Sequence, residues 1–167
     1  SPAWTPPATS PFIDVPTTDP AYKQITWLAN AKITTGWTVP AGQEYRANED
    51  ISREAMSAFL YRFAGSPAWT APATSPFVDV APNTNIFYKE ITWLAKNGIT
   101  TGYPDGTFQP TSPVNRDAMA AFLYRFAGSP AFTPPSTSPF TDVPTTYPFY
   151  KQITWLANAK ITTGWTV

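Results

Sequence analysis

The 167-residue chain has no cysteine and no histidine. Without cysteine there is no disulfide, no thiolate nucleophile and no thiolate metal ligand. Without histidine it lacks the commonest general base near neutral pH and the commonest zinc ligand. Together these absences argue against an enzyme, and no cofactor or metal is expected. Charge is scarce as well. Asp, Glu, Lys and Arg make up 13% of the residues, about half the usual share. Eleven basic residues balance eleven acidic ones, for a net charge of zero. That removes the electrostatic basis for binding nucleic acid or an anionic membrane surface. No apolar run is long enough to insert in a membrane, and Ser1-Pro2-Ala3-Trp4 does not open a signal peptide. A chain that begins within a repeat reads as a mature fragment.

What is present is apolar and aromatic. The chain is 43% hydrophobic and 16% aromatic, enough for a real core. With few charges, its surface must be largely hydroxyl and amide, which suits an extracellular protein.

One stretch is written three times. Tyr22-Lys23-Gln24-Ile25-Thr26-Trp27-Leu28-Ala29, followed by Ile33-Thr34-Thr35-Gly36, returns from Tyr88 to Gly102 and from Tyr150 to Gly164. Each copy follows a Phe-x-Asp-Val entry at Phe12, Phe77 and Phe140. The units run 1–65, 66–128 and 129–167, the third ending little past its midpoint. Residues 1–39 match 129–167 at 34 of 39 positions, so the two share a backbone.

Each unit opens with a Pro-, Ala-, Ser- and Thr-rich stretch that favours an extended path. The stretch is either a semi-rigid spacer open to O-glycosylation or a connector lying on the domain. An aromatic at one fixed place (Trp4, Trp69, Phe132) favours docking. A first helix follows, with Asp19 as N-cap before Pro20 and an apolar stripe of Tyr22, Ile25, Leu28, Ala29 and Ile33. Trp27 falls off that stripe, where it widens the buried face or lines a groove. In unit 2 the next loop carries Pro104-Asp105-Gly106, a tight-turn signal. Unit 1 has a longer loop in which Tyr45 replaces Phe108. The second helix begins after Ser52 or Asn115, with Glu54 or Asp117 in its first turn. Its stripe is Ala55, Met56, Phe59, Leu60 and Phe63, repeated from Ala118 to Phe126, and Gly65 and Gly128 terminate it. A single hairpin cannot bury both stripes, so the units should pack on one another.

These residues resemble the S-layer homology (SLH) repeat in its actinobacterial form. Unit 2 carries the whole pattern: Phe-x-Asp-Val, Trp-Leu-Ala, Gly-Ile-Thr-Thr-Gly-Tyr-Pro-Asp-Gly-Thr-Phe-x-Pro, then Val-Asn-Arg-Asp-Ala-Met-Ala-Ala-Phe-Leu. Unit 1 lacks only the Pro-Asp-Gly-Thr turn, and unit 3 has the first half. The resemblance implies a mainly α fold, with tandem helix-loop-helix repeats packed as a pseudo-threefold bundle with prongs. It also implies non-covalent anchoring to the cell envelope through a secondary cell-wall polysaccharide, often pyruvylated, bound in grooves between repeats. The family's Thr-Arg-Ala-Glu signature matches at Arg53 and Arg116. The acid stands one residue early, at Glu54 and Asp117, with Ala55 and Ala118 in the family's glutamate position.

The candidate ligand-binding residues are Arg53 and Arg116 at helix N-termini, where an arginine can fork onto a carboxylate. Trp37, Tyr103 and Trp165 follow Thr-Thr-Gly as platforms for a sugar ring, and Asp105 and Gly106 form the adjoining turn. Each has a plainer alternative: ion pairing that fixes the loop, or rings that plug the hairpin. Asp14, Asp79 and Asp142 more simply brace the entry turn. A calcium loop at Asp105 is discounted for want of the ligand spacing. Glu44, Glu49 and Asp50 cluster on the unit 1 loop, but nothing positions a hydrolytic pair. The expected partner is thus a cell-wall polysaccharide, with neither nucleic acid nor membrane insertion, for a protein at the cell wall or surface. Rival readings are a self-assembling lattice or fibre without sugar, and the targeting fragment of a secreted hydrolase. The third copy ends before its arginine, so its groove is expected to be incomplete and a point of self-association.

Overall fold

The computed structural model describes residues 3–165. Helix and loop dominate. The elements are α1 (Tyr22–Asn30), β1 (Trp37–Val39), β2 (Gly42–Glu44), α2 (Arg53–Phe63), α3 (Tyr88–Lys96), α4 (Arg116–Phe126) and α5 (Tyr150–Asn158). The longer loop expected in unit 1 is in fact an antiparallel hairpin, with Trp37 opposite Glu44. In unit 2 the same place holds the expected tight turn. The Gly106 amide donates to the Tyr103 carbonyl (3.0 Å), the Tyr103 amide to that of Thr107 (2.8 Å).

Both helices of the repeat follow from sequence, with local corrections. Asp19 does not cap α1. Its carboxylate accepts from the Ala21 amide (2.7 Å), closing a turn that feeds a helix starting at Tyr22. Asn85 serves α3 the same way through Phe87 (2.8 Å). Thr26, outside the apolar stripe, is buried because its hydroxyl donates back to the Tyr22 carbonyl (2.8 Å). It also accepts the Trp4 indole N–H (3.2 Å). Trp69 repeats this contact on Thr92, and Tyr22, Tyr88 and Tyr150 donate their hydroxyls to the carbonyls of Pro7, Pro72 and Pro135. The proline-rich stretches are therefore connectors pinned to the domain.

The aspartates of the entry turn brace the loop opposite. Asp14 accepts from the amides of Tyr45 and Arg46 (2.8 and 2.7 Å), and Asp79 from Phe108 and Gln109 (both 2.7 Å). Tyr45 does occupy the Phe108 position. Its ring lies 5.4 Å from Phe12, as Phe108 lies 5.3 Å from Phe77.

Units join by one packing, used twice: α2 lies on α3, and α4 on α5. Tyr61 meets Trp93 edge-on at 5.3 Å, and Tyr124 meets Trp155 identically, so these two tryptophans pack between units, while Trp27 meets Phe63 of its own unit edge-on at 6.4 Å. Met56, Leu60, Leu94, Ile99 and Phe122 form the core shared by units 1 and 2. Because α2 is covered on more than one side, Ser57, Ala58 and Tyr61 are buried beyond the expected stripe, while Phe63 stays exposed. In unit 3 the packing is unfinished. Ile33 and Ile99 are 4% and 3% exposed, whereas Ile161 is 54% exposed. Among the described residues no helix is long and apolar enough to cross a membrane. Among the described residues no cluster of His, Cys, Asp and Glu is placed to hold a metal.

Candidate functional site

The start of α2 is carried into the second unit by its unpaired backbone donors. The Arg53 amide donates to the Ser112 carbonyl and the Glu54 amide to that of Pro110, both at 2.9 Å. Val114 returns a bond to Ile51 (3.0 Å), and Ser52 bridges to Pro113. Ser52 also caps the helix by accepting from the Ala55 amide (3.3 Å). Asn115 forms no such side-chain cap on α4.

Arg53 is thereby buried at 6% exposure. Its Nε donates to the Phe108 carbonyl at 2.6 Å. The guanidinium carbon lies 4.8 Å from the Tyr103 ring centre, 4.7 Å from Phe108 and 5.4 Å from Phe122. Burial pulls its pKa below the ordinary arginine value, partly offset by Tyr103 and Asp79, and the group remains a cation. It makes no salt bridge among the described residues.

Arginine and aromatic meet across a repeat boundary. Arg53 of unit 1 faces Tyr103 of unit 2. Arg116 of unit 2 lies 5.2 Å from the Trp165 ring of unit 3. The groove expected to be incomplete thus does have an arginine. It is Trp37, in unit 1, whose ring is met by no helix-start arginine; Arg46 of its own hairpin lies 5.0 Å from its ring instead. Arg46 is held there by Glu44 (3.0 Å) and Glu49 (3.8 Å).

Two clefts open at equivalent places. One of about 330 Å³ is walled by Arg53, Thr100 to Tyr103, Asp117, Phe149 and Arg125. The other, of about 720 Å³, is walled by Thr34 to Trp37, Arg46, Glu54, Phe87 and Arg62. Tyr103 and Trp37 are 40% and 58% exposed. The repeat relates Arg125 to Arg62, neither of which the sequence reading singled out. Both stand two turns or more along the second helix from the motif arginine; Arg62 is held at its cleft by a bond within unit 1, from Nη1 to the Ile33 carbonyl (3.2 Å). Asp105 and Gly106 line neither cleft. The Asp105 carboxylate is engaged by the amide (2.9 Å) and hydroxyl (2.7 Å) of Thr107, which hold its pKa below the usual range.

The displaced acids act between units. Glu54 accepts from Asn85 Nδ2 (2.8 Å). Asp117 accepts from the Tyr147 hydroxyl (2.8 Å) and from the Ala118 amide (2.6 Å). Asn85 and Tyr147 both precede the first helix of the next unit, so each acid fixes the entry of its neighbour.

Fold and clefts define a tandem helical-repeat module whose concave sites lie at unit boundaries. Residues 76–120 match the model of the S-layer homology domain. The chain is also 30% identical over 115 residues to an endoglucanase of Bacillus sp. (strain KSM-635). That alignment covers 69% of this chain and 11% of the endoglucanase. S-layer homology domains are non-catalytic modules that associate proteins with the cell surface.

Proposed function

We propose that the chain anchors a surface or secreted protein non-covalently to the bacterial cell wall by binding a cell-wall polysaccharide, and that the Tyr103 cleft is the principal contact. The observation that supports this most is Arg53. A cation this buried, with no carboxylate in salt-bridge range among the described residues and only partial compensation from Tyr103 and Asp79, is stabilised by an added anion. It stands beside a half-exposed ring and a second guanidinium, Arg125, which has no hydrogen bond or ion pair among the described residues. An acidic substituent such as a ketal-linked pyruvate would sit between the two arginines, with a sugar ring on Tyr103. Arg116 with Trp165 offers a second, more open platform; Trp165 is 83% exposed.

The same reading extends to architecture. The α2–α3 and α4–α5 contacts are one packing used twice, and a third would close a pseudo-threefold bundle. It would place a helix of the α2 type over Ile161 and against α1, on the face equivalent to the one that α2 covers on α3 and α4 covers on α5. A neighbouring copy supplying that helix would make the third unit a point of self-association.

The anchoring test is co-sedimentation with purified actinobacterial cell-wall polymer. Wild type should bind, and Arg125→Ala and Arg53→Lys should each weaken binding about tenfold, equivalent to about 1.4 kcal/mol. Arg125→Ala guards against a folding artefact, because that side chain is half-buried and unbonded. Failure of the wild type to bind, or binding as tight as wild type by both variants, sinks the proposal.

A further inference from the structure

We infer that the Trp37 cleft takes an uncharged sugar and rejects the acidic one suited to the Tyr103 cleft, so that the equivalent sites divide a heteropolymer between them. This rests on the clefts being glycan sites. Their shared parts are the Thr-Thr-Gly-aromatic segment, the acid of the second helix, the phenylalanine before the next first helix and the arginine at 62 or 125. Their charges differ in sense. The Tyr103 cleft has two guanidinium groups, Arg53 and Arg125, against one carboxylate, Asp117, already engaged by Tyr147 and Ala118.

The Trp37 cleft has three carboxylates, Glu49, Asp50 and Glu54, against Arg46 and Arg62. Only one of these arginines is ion-paired among the described residues. Arg46 is paired with Glu44 and Glu49, and Arg62 donates to the Ile33 carbonyl at 3.2 Å. Gln109 holds the place of Arg46 in unit 2, where it shares the aspartate brace, so this cation and its acids are peculiar to the first unit. An incoming carboxylate would therefore meet three carboxylates, Asp50 and Glu49 among them exposed, with Arg62 alone as a cation not already paired, against two guanidinium groups and one carboxylate in the Tyr103 cleft. A neutral sugar meets no such opposition. Its hydroxyls can donate to those carboxylates, and its ring can stack on Trp37. At about 720 Å³, the cleft also has over twice the volume of the other.

The test is a titration of the ¹⁵N-labelled chain with chitotriose, cellotriose, mannotriose and, separately, trigalacturonate. Trp37→Phe assigns the indole signal, and the Tyr103 amide reports the other cleft. At least one neutral trisaccharide should shift the Trp37 indole, and Asp50→Asn should weaken that titration about tenfold. Trigalacturonate should leave the indole unmoved. The inference is overturned if trigalacturonate shifts Trp37 as strongly as the best neutral sugar, or if no neutral sugar moves it. A Trp37 response to neutral sugar with a Tyr103 amide indifferent to trigalacturonate and cell-wall polymer upholds it, while defeating the anion reading of the Tyr103 cleft.

Discussion

Gly98 and Gly102 share one backbone geometry, φ +66°, and differ only in what surrounds them. A Cβ at Gly98 would meet nothing within 4 Å. A Cβ at Gly102 would come within 2.5 Å of Phe77 Cε1 and 2.7 Å of the Thr107 carbonyl oxygen. Alanine at either place incurs the left-handed strain of about 1–2 kcal/mol, against a gain of about 0.4–1 kcal/mol from a less flexible unfolded chain. Both terms cancel when the two variants are compared. What remains is overpacking at Gly102, about 1–3 kcal/mol. It falls toward the upper end because one obstruction is backbone and the Phe77 ring is 6% exposed. Gly102→Ala should thus be about 2–3 kcal/mol less stable than Gly98→Ala. Urea unfolding followed by tryptophan fluorescence measures this, provided the denaturant slopes agree. A difference under about 0.5 kcal/mol would refute the argument that packing, and not φ alone, fixes the segment that presents Tyr103.

Two further outcomes test the backbone and the inter-unit latch. Lys32 and Lys160 hold φ of 56° and 57° where the second copy has Gly98, so glycine at each should add about 0.5–1 kcal/mol in the same assay; a loss of stability would contradict the left-handed assignment. The hydrogen bond and charge of Asp117 raise the pKa of Tyr147 above the ordinary tyrosine value. A raised acid pKa means the neutral form is favoured on folding. The contribution is therefore full below the unfolded tyrosine value of about 10 and is lost as pH climbs through the folded one. Phenolate absorbance, isolated by difference with Tyr147→Phe, should titrate late in the wild type and return toward the ordinary value in Asp117→Asn. An unchanged midpoint counts against the latch.

Spacing and residue type alone revealed the repeat, the two helix types and the local devices that need only near neighbours. Periodicity located α1, α3 and α5, turn chemistry located Asp105-Gly106, and the equivalence of Tyr45 with Phe108 was legible because both close the same loop. Tertiary structure decided which unit's arginine meets which unit's ring. Arg53 reads as a helix-start residue of unit 1. Whether it faces Trp37 or Tyr103 depends on α2 giving its unpaired N–H groups to the carbonyls of Pro110 and Ser112, a contact across more than fifty residues. Arg62 and Arg125 likewise resemble solvent-facing charges until the clefts, completed by Phe87 and Phe149 of the next unit, are in place. Tertiary packing decides Ile161 too, apolar in all three copies and left exposed only where no second helix covers it. Local patterns are written in spacing, because a helix or turn is satisfied within a few residues. A cleft between repeats depends on which unit's backbone satisfies which helix end, and identical repeats do not record that choice.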